Sequence, residues 1–177
     1  MAYVKEEAMV KTNTVAISQF LALAGIATAV PFFFHIQWAT GPMVNAILII
    51  ALFILGIRAA FLLCLIPSLM ALAGGLLPPV MAPIVPFIMI SNVLFVFTID
   101  YFYRNHKKAI QGFWMGVVIG STLKYLFLYF NTSLMMNLIL KKEIADKVAS
   151  IMSWSQFATA LAGGFIAFGI LKWLKRI

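Results

Sequence analysis

The chain has 177 residues, 64% hydrophobic and only 10% charged, with a mean hydropathy of +1.05. That composition excludes an ordinary water-soluble domain and leaves little chain for a second one. The net charge is +8 and the pI about 9.8, which in a soluble protein would suggest nucleic acid. No basic and aromatic stretch outside the apolar runs is long enough to hold a strand, so no nucleic acid partner is expected. The basic residues are read instead as topological signals facing the anionic surface of a lipid bilayer.

Apolar runs near 20 residues match the length needed to cross ~30 Å of hydrocarbon. In lipid the backbone must satisfy its own hydrogen bonds, so the runs are predicted to be helices. The alternation expected of a barrel strand is absent. Residues 1–12 are polar and short. The first span covers about 14–34. Ala27-Thr28-Ala29 offers a signal-peptide cleavage pattern, but the apolar run continues through Pro31-Phe32-Phe33-Phe34 and the span is read as retained. An uncharged loop from His35 to Pro42 leads to the second span, about 42–56, expected to be the shortest. Gly56-Ile57-Arg58 punctuates the chain before a third span at about 59–76. Gly74-Gly75-Leu76-Leu77-Pro78-Pro79 reads as a turn, because paired glycines and prolines do not continue a helix. The fourth span is placed at about 84–103, the fifth at about 109–130 and the sixth at about 153–174. Between the last two, residues 131–152 form an outer loop in which Ile144, Val148 and Ile151 share one helical face. An interfacial helix and a lid are both open readings there.

Charge then orients the bundle. Lys5, Lys11, Arg58, Arg104, Lys107, Lys108, Lys172, Lys175 and Arg176 fall on one side if the spans alternate. The other side holds Lys141, Lys142 and Lys147, offset by Glu143 and Asp146. By the positive-inside rule both termini are cytoplasmic. The expected fold is an all-α integral membrane protein, a single six-transmembrane-helix bundle.

Polar residues inside spans are costly and tend to face a bundle's interior. From the rise of ~1.5 Å per residue, Asn45 lies roughly 5 Å, Asn92 roughly 12 Å and Lys124 roughly 9 Å below the outer ends of their spans, and Gln156 and Thr159 roughly 5–9 Å into the sixth. Four spans thus bring polar groups to the outer half of the bilayer, as a pocket for a ligand would. Lys124 is the sharpest of them. Gly120, Ser121 and Asn131 share its helical face, the mark of a packed interior; the competing reading is that it snorkels to the outer headgroups. An interior lysine needs a counter-charge, and the spans offer only Asp100, far away in depth. A ligand carboxylate or phosphate would serve. Gln37 and Trp38, in the loop after span one, join the candidate binding set. Trp38, Tyr125, Tyr129 and Trp154 could equally form an interfacial aromatic belt or stack on a flat ring.

In span one, Ser18 and Ala22, Ala24 and Thr28, and Gly25 and Ala29 are small residues four apart, as in close helix contacts within the bundle or with a second subunit. The single cysteine, Cys64, and two separated histidines, His35 and His106, give no ligand spacing, so neither metal nor cofactor is expected. Paired acids, a nucleophile beside a base, and HExxH are all missing from the spans, and the chain is not expected to be an enzyme.

In size, six spans, cytoplasmic ends and the stretches Thr40-Gly41-Pro42-Met43-Val44-Asn45-Ala46, Gly- and Pro-rich 74–86 and Ser91-Asn92, the whole chain diffusely resembles the substrate-binding S-components of energy-coupling factor (ECF) transporters. The biotin-type members look similar in this glycine and proline rhythm. The resemblance implies capture of a vitamin or related micronutrient from the outer side of a prokaryotic plasma membrane, under the loop after span one. It implies as partners a transmembrane coupling protein and two ATP-binding subunits. Ser18, Ala22, Gly25 and Ala29 would be only approximate counterparts of the family's alanines spaced four apart, its docking face. The alternative is a non-catalytic structural membrane subunit of a larger complex, for example one associated with a hydrogenase or another redox enzyme.

Overall fold

The computed structural model describes residues 14–33, 37–74, 79–139 and 142–177, with side chains for all of these except 37, 79–81, 136–139 and 142–153. Among the described residues every regular element is helical: α1 (Thr14–Phe33), α2 (Gln37–Leu55), α3 (Ile57–Ala73), a 3-10 helix (Pro79–Ile84), α4 (Val85–Asn105), α5 (Ala109–Ile139) and α6 (Lys142–Trp173). All the α-helices but α3 supply a stretch long and apolar enough to cross a membrane. α3, with 17 residues, is shorter. The chain is therefore a multi-pass membrane protein, and the short helix is the third, where the sequence pointed to the second.

Two boundaries differ from expectation for physical reasons. α2 begins at Gln37, so most of the expected loop from His35 to Pro42 is helical. Pro42 stands in the helix's second turn, where its missing N–H removes one hydrogen bond from the ladder without ending the helix. At the far end, α5 runs through Ile139 and α6 begins at Lys142, so the expected outer loop 131–152 is mostly helical continuation of both spans. The amphipathic face of Ile144, Val148 and Ile151 lies outside the described side chains. α5 has 31 residues, about 46 Å of helix, and outruns the hydrocarbon by roughly 16 Å.

Neighbouring helices close a ring in the order α2, α3, α4, α5, α6 and back to α2, with α1 outside against α2 and α3. Residues 45–52 of α2 are all buried, as befits a helix that is apolar on every side. α1, by contrast, buries only Ala27 and Val30. Between α2 and α3 the chain turns at Gly56, whose φ of 89° suits a residue without a Cβ.

The closest pair is α4 with α5. Gly112, Gly116 and Gly120, four residues apart, face the α4 backbone: a Cβ would come within 2.6 Å of the Phe102 carbonyl oxygen at Gly112 and within 2.7 Å of the Ile99 Cα at Gly116. Small residues permit such approach in lipid, where packing rather than water expulsion holds helices together. At the basic end, carrying Arg58, Arg104, Lys107, Lys108 and Lys172, the ring is filled by aromatics. Phe53 meets Tyr103 at 4.7 Å and Phe113 at 5.9 Å, while Phe168 meets Phe113 at 5.5 Å and Trp114 at 5.1 Å. These contacts tie α2, α4, α5 and α6 into an apolar plug below the polar groups.

Candidate functional site

Above this plug a lysine reaches into the ring. Lys124 on α5 is 2% exposed, and its ammonium donates 2.7 Å hydrogen bonds to Oδ1 of Asn45 on α2 and Oδ1 of Asn92 on α4. The Phe95 ring lies 5.5 Å from Nζ, within range of a cation–π attraction. The ammonium is thus turned inward, and the snorkelling alternative does not hold.

Local features aim the two amides. Asn45 Nδ2 donates to the Gly41 carbonyl one turn earlier, at 2.9 Å. Asn92 Nδ2 donates to the Cys64 carbonyl on α3 across a long 3.5 Å bond. Since an amide has distinct donor and acceptor ends, these bonds leave both oxygens facing the lysine. Behind Asn45, α6 packs almost backbone to backbone on α2: Gly163 faces the Asn45 Cβ and the Pro42 carbonyl, and Gly41 faces the Thr159 side chain.

An ammonium removed from water is costly unless paired. Asp100 is the one acid with a described side chain, and it is occupied by Arg104 at 2.7 Å. Among the described residues Lys124 is held by neutral oxygens alone, which offset its desolvation by dipole but leave its charge uncompensated. Of its three donors, two are used in hydrogen bonds. Chemically, the cluster is suited to receive an anionic oxygen.

Of the residues singled out in the sequence, Lys124, Asn45 and Asn92 come together through hydrogen bonds. Ser121, one turn before Lys124, is fully buried and its hydroxyl has no partner among the described residues. Thr159 is 1% exposed, but its hydroxyl returns to the Ser155 carbonyl at 2.6 Å; its contribution is the contact with Gly41. Gln156 is half-buried one turn away. Trp38 is 62% exposed at the start of α2, and the side chain of Gln37 lies outside the described residues. Trp154 clusters with Tyr125 and Phe157, yet is 69% exposed. The outward Trp38 and Trp154 fit an interfacial belt better than a stacking site. On α1, Ser18, Ala22 and Gly25 are exposed and Ala29 is half-buried.

Sequence reasoning missed Thr132, a second fully buried hydroxyl without a partner among the described residues, and the Cys64 carbonyl. Thr132 lies eight residues beyond Lys124 on the same helix, and that spacing was the available signal. No family model, curated protein or solved structure matches the chain.

Proposed function

We propose that the chain is the solute-binding subunit of an ECF-type importer, which captures a small anionic micronutrient from the outside of the prokaryotic plasma membrane. One observation carries this reading: the Lys124 ammonium sits inside the helix ring, ligated by two amide oxygens and by no described carboxylate. A group that only braced helices would gain more from a neutral amide or an apolar side chain, because an uncompensated buried charge works against stability. A site that must accept an anion needs the charge.

The remaining features support the same assignment. The basic end faces the cytoplasm by the positive-inside rule, so the aromatic plug lies on the cytoplasmic side and the lysine on the exterior side of it. The protein contributes recognition and no covalent chemistry. α1 lies outside the ring with Ser18, Ala22 and Gly25 exposed, and there the coupling protein docks, bringing the two ATP-binding subunits. Solute release would follow reorientation of the whole subunit rather than opening of the plug.

Native mass spectrometry of gently purified protein tests the assignment. Wild type is expected to carry a small anionic molecule that Lys124→Met lacks. Equal loading of the two proteins, or none in either, would favour the alternative of a purely structural membrane subunit.

A further inference from the structure

α1 meets the ring closely at one end only. Its buried residues, Ala27 and Val30, both lie in its second half, whereas residues 14–19, at the basic end, are all exposed. At about 100° per residue, Ala16, Ile17 and Phe20 fall on the same side of the helix as Ala27 and Val30. The face that packs on the ring farther along therefore stands away from it here. A groove of about 250 Å³ opens between Ala16, Ile17 and Phe20 of α1, Leu55 of α2, and Ala59 and Leu62 of α3.

The lining and the depth of this groove select its occupant. All six lining side chains are hydrocarbon, and an apolar cavity does not hold water, which needs polar partners. Phe20 lies six residues into α1, and Leu62 four residues beyond Arg58, so the groove reaches roughly 6–9 Å in from the basic end. In a bilayer that is where the upper part of an acyl chain runs. Charge narrows the choice further. Arg58, exposed, is one turn before Leu62 on α3. At this end Arg58, Arg104, Lys107, Lys108, Lys172, Lys175 and Arg176 are all exposed, and the one acid with a described side chain, Asp100, is taken by Arg104. An arginine fork matches phosphate geometry, and basic residues at a membrane surface draw anionic lipid.

We propose that the groove binds an anionic phospholipid from the leaflet at the basic end, with one acyl chain between α1 and the α2–α3 turn and the headgroup phosphate on Arg58. The bound chain completes the packing of α1 where the ring does not reach it. This inference does not rest on the solute-binding reading. It is compatible with the proposed docking face, because Ser18, Ala22 and Gly25 fall on the opposite side of α1 from Ala16 and Phe20.

Native mass spectrometry of the full chain in detergent, supplied with equal amounts of dioleoyl phosphatidylglycerol and dioleoyl phosphatidylcholine, tests the proposal. Wild type is expected to retain one phosphatidylglycerol, favoured about fivefold over phosphatidylcholine, the worth of one basic residue at an anionic surface. Ala16→Trp fills the groove and loses the retained lipid. Leu21→Trp, at a residue 63% exposed and outside the lining, keeps it. Arg58→Gln retains lipid but no longer distinguishes the two headgroups. Lys124→Met leaves lipid retention unchanged, which separates this site from the solute site. The melting temperature of Ala16→Trp should match that of Leu21→Trp; if the tryptophan prevents folding, Ala59→Leu is the second groove-filling variant. Retention of lipid in the folded groove-filled protein, a headgroup preference that survives in Arg58→Gln, or no retained lipid in wild type overturns the assignment. So does a wild-type dimer that Ala16→Trp dissociates, since a second copy would then be the occupant.

Discussion

Gly163 on α6 and Asn45 on α2 meet with no room between them: a Cβ at position 163 would lie 2.6 Å from the Asn45 Cβ. The Pro42 carbonyl oxygen and the Ala46 nitrogen crowd the same point, at 2.9 and 3.0 Å, and backbone atoms cannot rotate aside. Alanine would gain about 1 kcal/mol of helix propensity but force the helices apart, at about 1–3 kcal/mol for overpacking. Gly163→Ala is therefore expected to lower the melting temperature in detergent and to weaken solute binding by displacing Asn45. Gly169, with nothing within 4 Å, is the control, and Gly169→Ala should be neutral or stabilising. Equal stability of the two variants would contradict the close contact.

The amide cradle makes a coupling prediction. In wild type, Asn92→Leu leaves Lys124 with a single amide partner in a buried site, a loss of about 2–4 kcal/mol. In a Lys124→Met background the same substitution removes an oxygen that already lacks its partner, and should be close to neutral. A double-mutant cycle by denaturant unfolding is expected to show a coupling of about 1–3 kcal/mol. Additive effects would mean that the bond contributes nothing.

Gly116 tests the α4–α5 seam. Its missing Cβ faces the Ile99 Cα at 2.7 Å, so Gly116→Val should prevent stable folding, and Gly116→Ala should cost about 1–3 kcal/mol. The damage should extend to the lysine site, because Asn92 and Lys124 lie farther along the same two helices. Size-exclusion behaviour and melting temperature report the outcome.

Topology is open to chemical labelling. Cys64 is buried, so the folded protein should resist a membrane-impermeant maleimide. In a Cys64→Ala background, Trp38→Cys is expected to label from outside intact cells, and Lys108→Cys only after the membrane is permeabilised. The reverse pattern would invert the bundle and place the lysine site toward the cytoplasm.

The exposed face of α1 separates partner docking from solute binding. A Cβ at Gly25 would meet open space, with nothing within 4 Å, so Gly25→Leu should fold and bind solute as wild type does. Co-expressed with a coupling protein and ATP-binding subunits, it is expected to lose co-purification and uptake. Unchanged complex formation would move the docking face off α1.

The spans and their polar residues were legible because hydrophobic length and intramembrane charge are one-dimensional signals. Asn45, Asn92 and Lys124 could each be placed by depth. Their mutual bonds could not, because a cross-helix contact depends on helix rotation, which glycines such as Gly163 and Gly116 set through close approach. Trp38 illustrates the same limit: its depth was right for the site, but its azimuth turns it outward. The helical start of α2 was hidden by Pro42, a residue that ordinarily marks the edge of a helix but here stands inside one. Thr132 escaped notice because a threonine in a helix is ordinary until its hydroxyl is seen to lack the usual partner.

α3 carries a consequence for the surrounding lipid. Its 17 residues cover about 25 Å, roughly 5 Å less than an average hydrocarbon layer. Such a hydrophobic mismatch is relieved by local thinning of the bilayer, at a fraction of a kcal/mol per Å. One flank of the protein, the α3 side, would thus sit in a dimple, and the subunit would partition toward thinner membranes. On the proposed importer reading, a subunit that tilts as a body to deliver its cargo would meet the least lipid resistance along that flank.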